Sequence, residues 1–361
     1  MKILSIGLAL PLLALLACKK NHPEPVAEAV NINYPAAYVV NGESNSISVI
    51  DLSKNEVSAT LELGMTSGGH HMRIASTSAV SKMWPHHIYL SPDKSKISIA
   101  FPNMDLSGGH EGGMDGMKGA IGIYDAVSGM EHYSIELPSM NHNATYSPDG
   151  KEIWTSQMME MGTVQVYDAI TYTLKKTISV GAMPAEVTFS HDGSTVFVAN
   201  GMDSTVTAID PVSKSVKATI KVGANPVGAW VSADNNVYVD NEKGQSISII
   251  NVPALSVTGT ISLGFMPGYV TYLTHMGTAE LWVTDPENGK VHWWVKDAMG
   301  WMHGGAFVSG AGAHAIAINS SGTTAYVTNQ LAASVSVINV MDHSKIKEIT
   351  VGKKPNGIII K

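Results

Sequence analysis

His86, His142 and His314 occupy the same position of an internal repeat in three different segments of the chain. Imidazoles delivered to one place from separate segments are the raw material of a metal site. His87 adjoins the first of them, and two inserts add more soft and borderline donors. GMTSGGHHMRIASTSAVSKMW (64–84) carries His70, His71 and Met72, while PNMDLSGGHEGGMDGMKGA (102–120) carries His110, Met114 and Met117. A further loop supplies Met158, Met159 and Met161. Thioethers favour Cu(I) and imidazole accepts both copper oxidation states. Zinc sites more typically add Cys or carboxylate, and Ca²⁺ or Mg²⁺ takes oxygen clusters. Copper is therefore the expected cofactor, with His86, His142 and His314 as the primary site and His87 and a Met from the inserts as further ligands.

The elements that must position these residues are read from a spacing. An Asp or Asn that ends a strand is followed thirteen residues later by Gly, or once by Pro: Asp51–Gly64, Asp125–Pro138, Asp168–Gly181, Asp210–Gly223, Asn251–Gly264, Asp297–Gly310 and Asn339–Gly352. A new apolar strand is expected four residues after the Gly or Pro, at His142, Ala185, Val227, Gly268, His314 and Asn356. After Gly64 the long insert delays it to His86. Short strands repeating at about 40–45 residues predict propeller blades. The fourth repeat shows them most plainly, as AEVTFS (185–190), TVFVAN (195–200), STVTAID (204–210) and SVKATIKV (215–222).

The predicted fold is all-β: a seven-bladed β-propeller with the C-terminal strand NGIIIK (356–361) completing the blade begun by AYVVN, SISVIDL and VSATLEL. Such pairing leaves no open sheet edge between first and last blades. The register also sorts residues by face. Loops from strand four to the next strand one share a face with loops from strand two to strand three, and most methionines after Met1 fall there rather than mid-strand, where a core-filling Met would sit. Met130, Met276, Met299, Met302 and Met341 are assigned to turns on the opposite face. An isolated His at a strand start usually serves as a hydrogen-bonding residue, and loop methionines can equally form an adaptable apolar contact surface.

AYVVN (37–41), VFVAN (196–200) and AYVTN (325–329), each followed by a strand ending in Asp or Asn, together with SPDG at 147–150, resemble the YVTN family of β-propeller repeats. The resemblance covers nearly all of the chain from about residue 34. It implies the fold and says little about activity, since propellers host many chemistries. The architecture is also similar, more distantly, to the copper-bearing propeller of nitrous oxide reductase. This chain lacks that enzyme's fuller ring of His and its Cys-containing electron-entry domain.

Composition narrows the remaining classes. The chain has 361 residues with 34 Gly, 16 Pro and 15% charged residues, as suits a turn-rich all-β protein. A net charge of −7 with no basic stripe argues against nucleic-acid binding. A single Cys, Cys18, excludes a disulfide framework and a Cys-based metal site. Met1-Lys2 and the apolar run Ile3–Ala17 have the dimensions of a signal peptide. Leu15-Leu16-Ala17-Cys18 resembles a lipobox, which implies lipidation of Cys18, and Lys19 after it fits outer-membrane sorting. Residues 1–17 are thus assigned as a lipoprotein signal peptide, 18–33 as lipidated Cys and flexible tether, and 34–361 as a single propeller. No nucleophile triad motif, Gly-rich phosphate loop or haem-binding Cys pair is present.

The expectation is an extracytoplasmic, outer-membrane copper-binding lipoprotein. It would bind rather than catalyse, in copper sequestration, sensing or delivery, with a copper-handling or membrane protein as partner. The alternatives are an adaptor gripping a protein, peptide or glycan on the Met-rich face, or a copper-dependent oxidoreductase.

Overall fold

The computed structural model describes residues 30–63, 80–108 and 116–361. The expectations for the signal peptide, Cys18, most of the tether, Met65, His70, His71, Met72, His110 and Met114 lie outside these residues. The described chain forms seven antiparallel four-stranded sheets, and it is a seven-bladed β-propeller. Blade one joins Pro355–Ile360 to Ala36–Asn41, Ser46–Asp51 and Glu56–Glu62. The C-terminal strand pairs antiparallel with the first, Tyr38 opposite Ile359, so the ring closes as expected. Innermost strands pack against one another all the way round the axis.

Two side-chain devices explain the thirteen-residue spacing. The Asp or Asn ending each third strand closes the following turn by accepting backbone N–H groups. Asp210 Oδ1, for example, accepts from Val212 and Ser213 at 2.9 Å each. In four blades the Gly thirteen residues on is needed for close approach. In blades one, four, five and seven an Asn at the end of strand two lies against it: Asn41 on Gly352, Asn200 on Gly181, Asn241 on Gly223 and Asn329 on Gly310. A Cβ there would stand 2.6–2.7 Å from the Asn Cγ. Each Asn Nδ2 also donates to two hydroxyls of strand three, as Asn41 does to Ser46 at 3.1 Å and Ser48 at 3.0 Å. One interlock thus ties the entry of strand one to strands two and three.

The inner strands differ from the predicted register in an informative way. Those of blades two, three and six begin at Ile88, Ala144 and Val270, two residues later than expected. In blades one, four, five and seven the strand starts one residue early, at Pro355, Pro184, Pro226 and Ala313, and then breaks register. Pro184 faces Asn200 but Val187 faces Val198, and Ala313 faces Asn329 but Ile316 faces Val327. One extra residue is accommodated there, as in a β-bulge, which re-aims side chains and commonly borders functional sites. The repeat column at the channel mouth therefore sits in irregular backbone in every blade.

Candidate metal centre

His86 and His87 immediately precede the inner strand of blade two, Ile88–Leu90. In a regular strand, neighbours would point to opposite faces. Outside the regular strand both rings lie together, with centroids 4.4 Å apart. His142 joins them from blade three, 4.5 Å from His86 and 4.7 Å from His87. Each of the three can offer a ring nitrogen, and these nitrogens all fall within 4.8 Å of one another. His314, in the broken register of blade seven, is the fourth ring, 6.2 Å from His86 and 6.1 Å from His87. The tightest trio is thus His86, His87 and His142, with His314 at its edge. All four are buried.

Orientation is set by neighbours in adjacent blades. His314 Nδ1 lies 2.8 Å from the Asn356 carbonyl oxygen. A carbonyl only accepts, so Nδ1 carries the proton and Nε2 the lone pair. His142 Nδ1 lies 3.0 Å from Glu186 Oε2. The other Glu186 oxygen accepts from the Tyr89 hydroxyl and from Asn143 Nδ2, the latter at 2.7 Å. Asn143 in turn bridges to the Val187 backbone, donating to its carbonyl at 2.8 Å and accepting from its N–H at 3.1 Å. Burial, with lesser repulsion from Asp240, pushes the Glu186 carboxyl up to about 8. A positive charge on the imidazole side would favour the carboxylate.

The residues following the column form a second tier: His87, Asn143, Glu186, Gly228, Tyr269, Ala315 and Gly357. Behind them, the Trp230 ring stands 5.9 Å from His87 and 3.9 Å from Tyr269. Trp230 Nε1 donates to buried Asp240 Oδ1 at 2.6 Å, and Gly228 N–H to Oδ2 at 3.2 Å. Gly228 must be glycine, since a Cβ would lie 2.2 Å from both Asp240 Oδ1 and the indole nitrogen. Burial, then the Glu242 charge, raises the Asp240 carboxyl to about 6. Sequence reasoning did not reach Tyr89, Trp230, Asp240 or Tyr269. Tyr89 and Trp230 share one repeat position, three after the His column, so following the column further down the inner strands would have found them.

The methionines separate. Met140, Met158 and Met183 are buried with Leu106, and Met104 and Met117 pack against them. Met159 is half-buried, and Met161 is 85% exposed. Met158 and Met117 therefore share one apolar cluster that leaves Met161 in solvent. Met302 lies within the outer strand of blade six, Gly300–Val308, and not in a turn as assigned, because that hairpin closes tightly at Ala298-Met299. A cleft lined by Leu106, Ser107, Glu242, Met266, Pro267, Gly268, Pro286 and Gln330 opens at the mouth and reaches His314.

No protein-family profile and no curated protein matches this chain. Solved structures do, in number. A functionally unknown protein from Desulfotomaculum acetoxidans superposes with a TM-score of 0.68 at 13% identity, over 90% of this chain and 98% of its own. The periplasmic gluconolactonase PpgL of Pseudomonas aeruginosa gives 0.67 at 17%, over 90% and 98%. A putative 6-phosphogluconolactonase from Bacteroides fragilis gives 0.68 at 15%, over 91% and 98%. The likeness is one of fold.

Proposed function

We propose that this protein binds a first-row transition metal, copper in the first instance, at the mouth of its channel. The observation that carries this reading is the trio of buried imidazoles, His86, His87 and His142, with nitrogens within 4.8 Å of one another. Nitrogens sharing one ion through bonds of about 2 Å stand roughly 3–4 Å apart, so small side-chain rotations would close the site. His314 would complete the set. Glu186 would hold His142 with Nδ1–H toward the carboxylate and Nε2 toward the metal, the usual carboxylate–histidine–metal arrangement. Bound copper would supply Lewis acidity or a one-electron couple. Imidazole ligation suits both Cu(I) and Cu(II). The role is sequestration, sensing or delivery by an envelope protein anchored through Cys18, with a copper-handling or membrane protein as recipient. The lipobox-like and YVTN-like residues support that placement.

Titration of the metal-free protein with Cu(I) and Cu(II), followed by metal analysis of protein purified without a metal column, tests this. Micromolar or tighter binding is expected. Absence of binding in both states refutes the proposal, whereas unchanged binding in a His86/His87/His142 triple alanine variant refutes only the site.

A second reading, an adaptor, is favoured by the exposed Met83, Met161, Met202 and Met266. It predicts a partner whose binding survives alanine substitution of the histidines but not of these methionines.

A further inference from the structure

Blade six carries another pair of histidines, outside the channel. His292 lies in its third strand, Lys290–Asp297, and His303 in its outer strand, Gly300–Val308. Between these strands the register shifts, so that Trp293 faces Gly305 while Trp294 faces His303. Gly304 is the extra residue. The shift moves His303 along the strand onto the face shared by His292 and Trp294. The Trp294 ring belongs to the core cluster between blades five and six, and Phe265 stacks on His292 with centroids 4.4 Å apart. His303 is exposed. The pair thus has one ring held by packing and one reaching to solvent.

His292 Nδ1 and His303 Nε2 lie 3.2 Å apart. Two nitrogens bound to one ion at about 2.0 Å stand roughly 2.8 Å apart at the right angle of a tetragonal ion and roughly 3.3 Å at a tetrahedral angle, so the pair is within a few tenths of an ångström of either. On the far side of the His292 ring, Nε2 faces Asp285 Oδ2 at 3.5 Å. Asp285 is itself fixed, accepting at 2.9 Å from Asn288 Nδ2 and at 3.1 Å from Asn288 N–H. That carboxylate favours the tautomer with the proton on Nε2, leaving the Nδ1 lone pair toward His303. A carboxylate behind a ligating imidazole is the recurrent second layer of protein metal sites.

We propose that His292 and His303 form a second, solvent-facing site on blade six for a late first-row divalent ion, Cu(II) above all, with Asp285 as a positioning residue. Two imidazoles and open solvent positions suit Cu(II), which also heads the affinity order for nitrogen donors. With only two protein ligands the site binds more weakly than the channel cluster and exchanges faster. It does not rest on the channel reading.

The test uses the full chain, equilibrium dialysis against a Cu(II) salt, and paramagnetic resonance of the loaded protein. His303→Ala, a change at an exposed outer-strand position, should bind one Cu(II) fewer than wild type while melting as cooperatively. The lost signal should carry hyperfine splitting from two nitrogens. His303→Gln should behave like the alanine variant. If the channel binds nothing, wild type still takes up one ion and His303→Ala none. Equal stoichiometry and equal spectra in wild type and His303→Ala mean that the pair is only a hydrogen bond, and they overturn the proposal.

Discussion

The imidazole of His142 and the carboxyl of Glu186 meet at 3.0 Å across the junction of blades three and four, both side chains at most 2% exposed. Adjacent blades contribute one each, so the pair exists only when the ring is assembled. Glu186 is also the acceptor for Tyr89 and Asn143, and it locks three inner strands to one another.

Replacing that carboxyl by an amide tests its orienting role. In Glu186→Gln the new N–H can donate to His142 Nδ1 and hold the tautomer whose Nε2 is protonated and unable to ligate. Copper affinity should fall about 10–100-fold, the usual cost of losing such a partner. A competition titration against a chelator of known affinity measures it. Unchanged affinity would show that His142 does not ligate through Nε2.

The Gly–Asn interlock predicts a sharp positional contrast. Gly352→Ala places a Cβ 2.6 Å from Asn41 Cγ, at the seam where the ring closes. Overpacking of this kind costs about 1–3 kcal/mol. Gly310→Ala, against Asn329, should cost a similar amount. Gly108→Ala meets nothing within 4 Å and should leave the urea midpoint where it was.

Acid sensitivity should centre in part on the junction of blades six and seven. Burial alone would raise the Glu280 carboxyl, but hydrogen bonds from His343 and Trp282 and the close approach of the His275 ring outweigh it and hold it down to about 2. The distances are 3.0, 2.7 and 2.9 Å in that order. A carboxyl depressed from its ordinary 4.5 stabilises the fold fully above that value and loses its contribution as pH falls toward 2. Glu280→Gln should therefore be less stable than wild type at pH 6, with the gap narrowing between pH 4.5 and pH 2. Thermal melts of both proteins across that range give the answer; a gap independent of pH contradicts the assignment.

Ring closure offers a coarser test. A chain ending at Gly352 lacks the inner strand of blade one and exposes the edge of Ala36–Asn41. It also loses Lys361, whose Nζ donates to the carbonyls of Ile32 at 2.8 Å and Ala126 at 3.0 Å. Calorimetry should find a transition broader than that of the full chain, or none, and gel filtration should find self-association. An intact melt would mean that the closure is dispensable.

Much of this was legible in one dimension because a propeller repeats its local physics. Asp210 announces a turn through backbone N–H groups two and three residues away, and Gly352 announces the place where an Asn must lie flat. The first constraint is short-range and both recur at fixed spacing from blade to blade, so residue type and spacing alone identified seven blades, the closing strand and the shared column of His86, His142 and His314. The register at the mouth was not legible. Whether His87 points with His86 or against it depends on where the ladder begins, and that is set by pairing with Phe101-side residues of the next strand. Tertiary structure also chose Glu186 as the partner of His142, gathered Tyr89, Trp230, Asp240 and Tyr269 behind the histidines, and parted Met158 from Met161. On blade six it slid His303 onto the face of His292. Each of these depends on curvature around the axis or on one extra residue in a ladder. Such features arise only when sheets pack; spacing along the chain records the shared repeat position of Tyr89 and Trp230 but not what those side chains face.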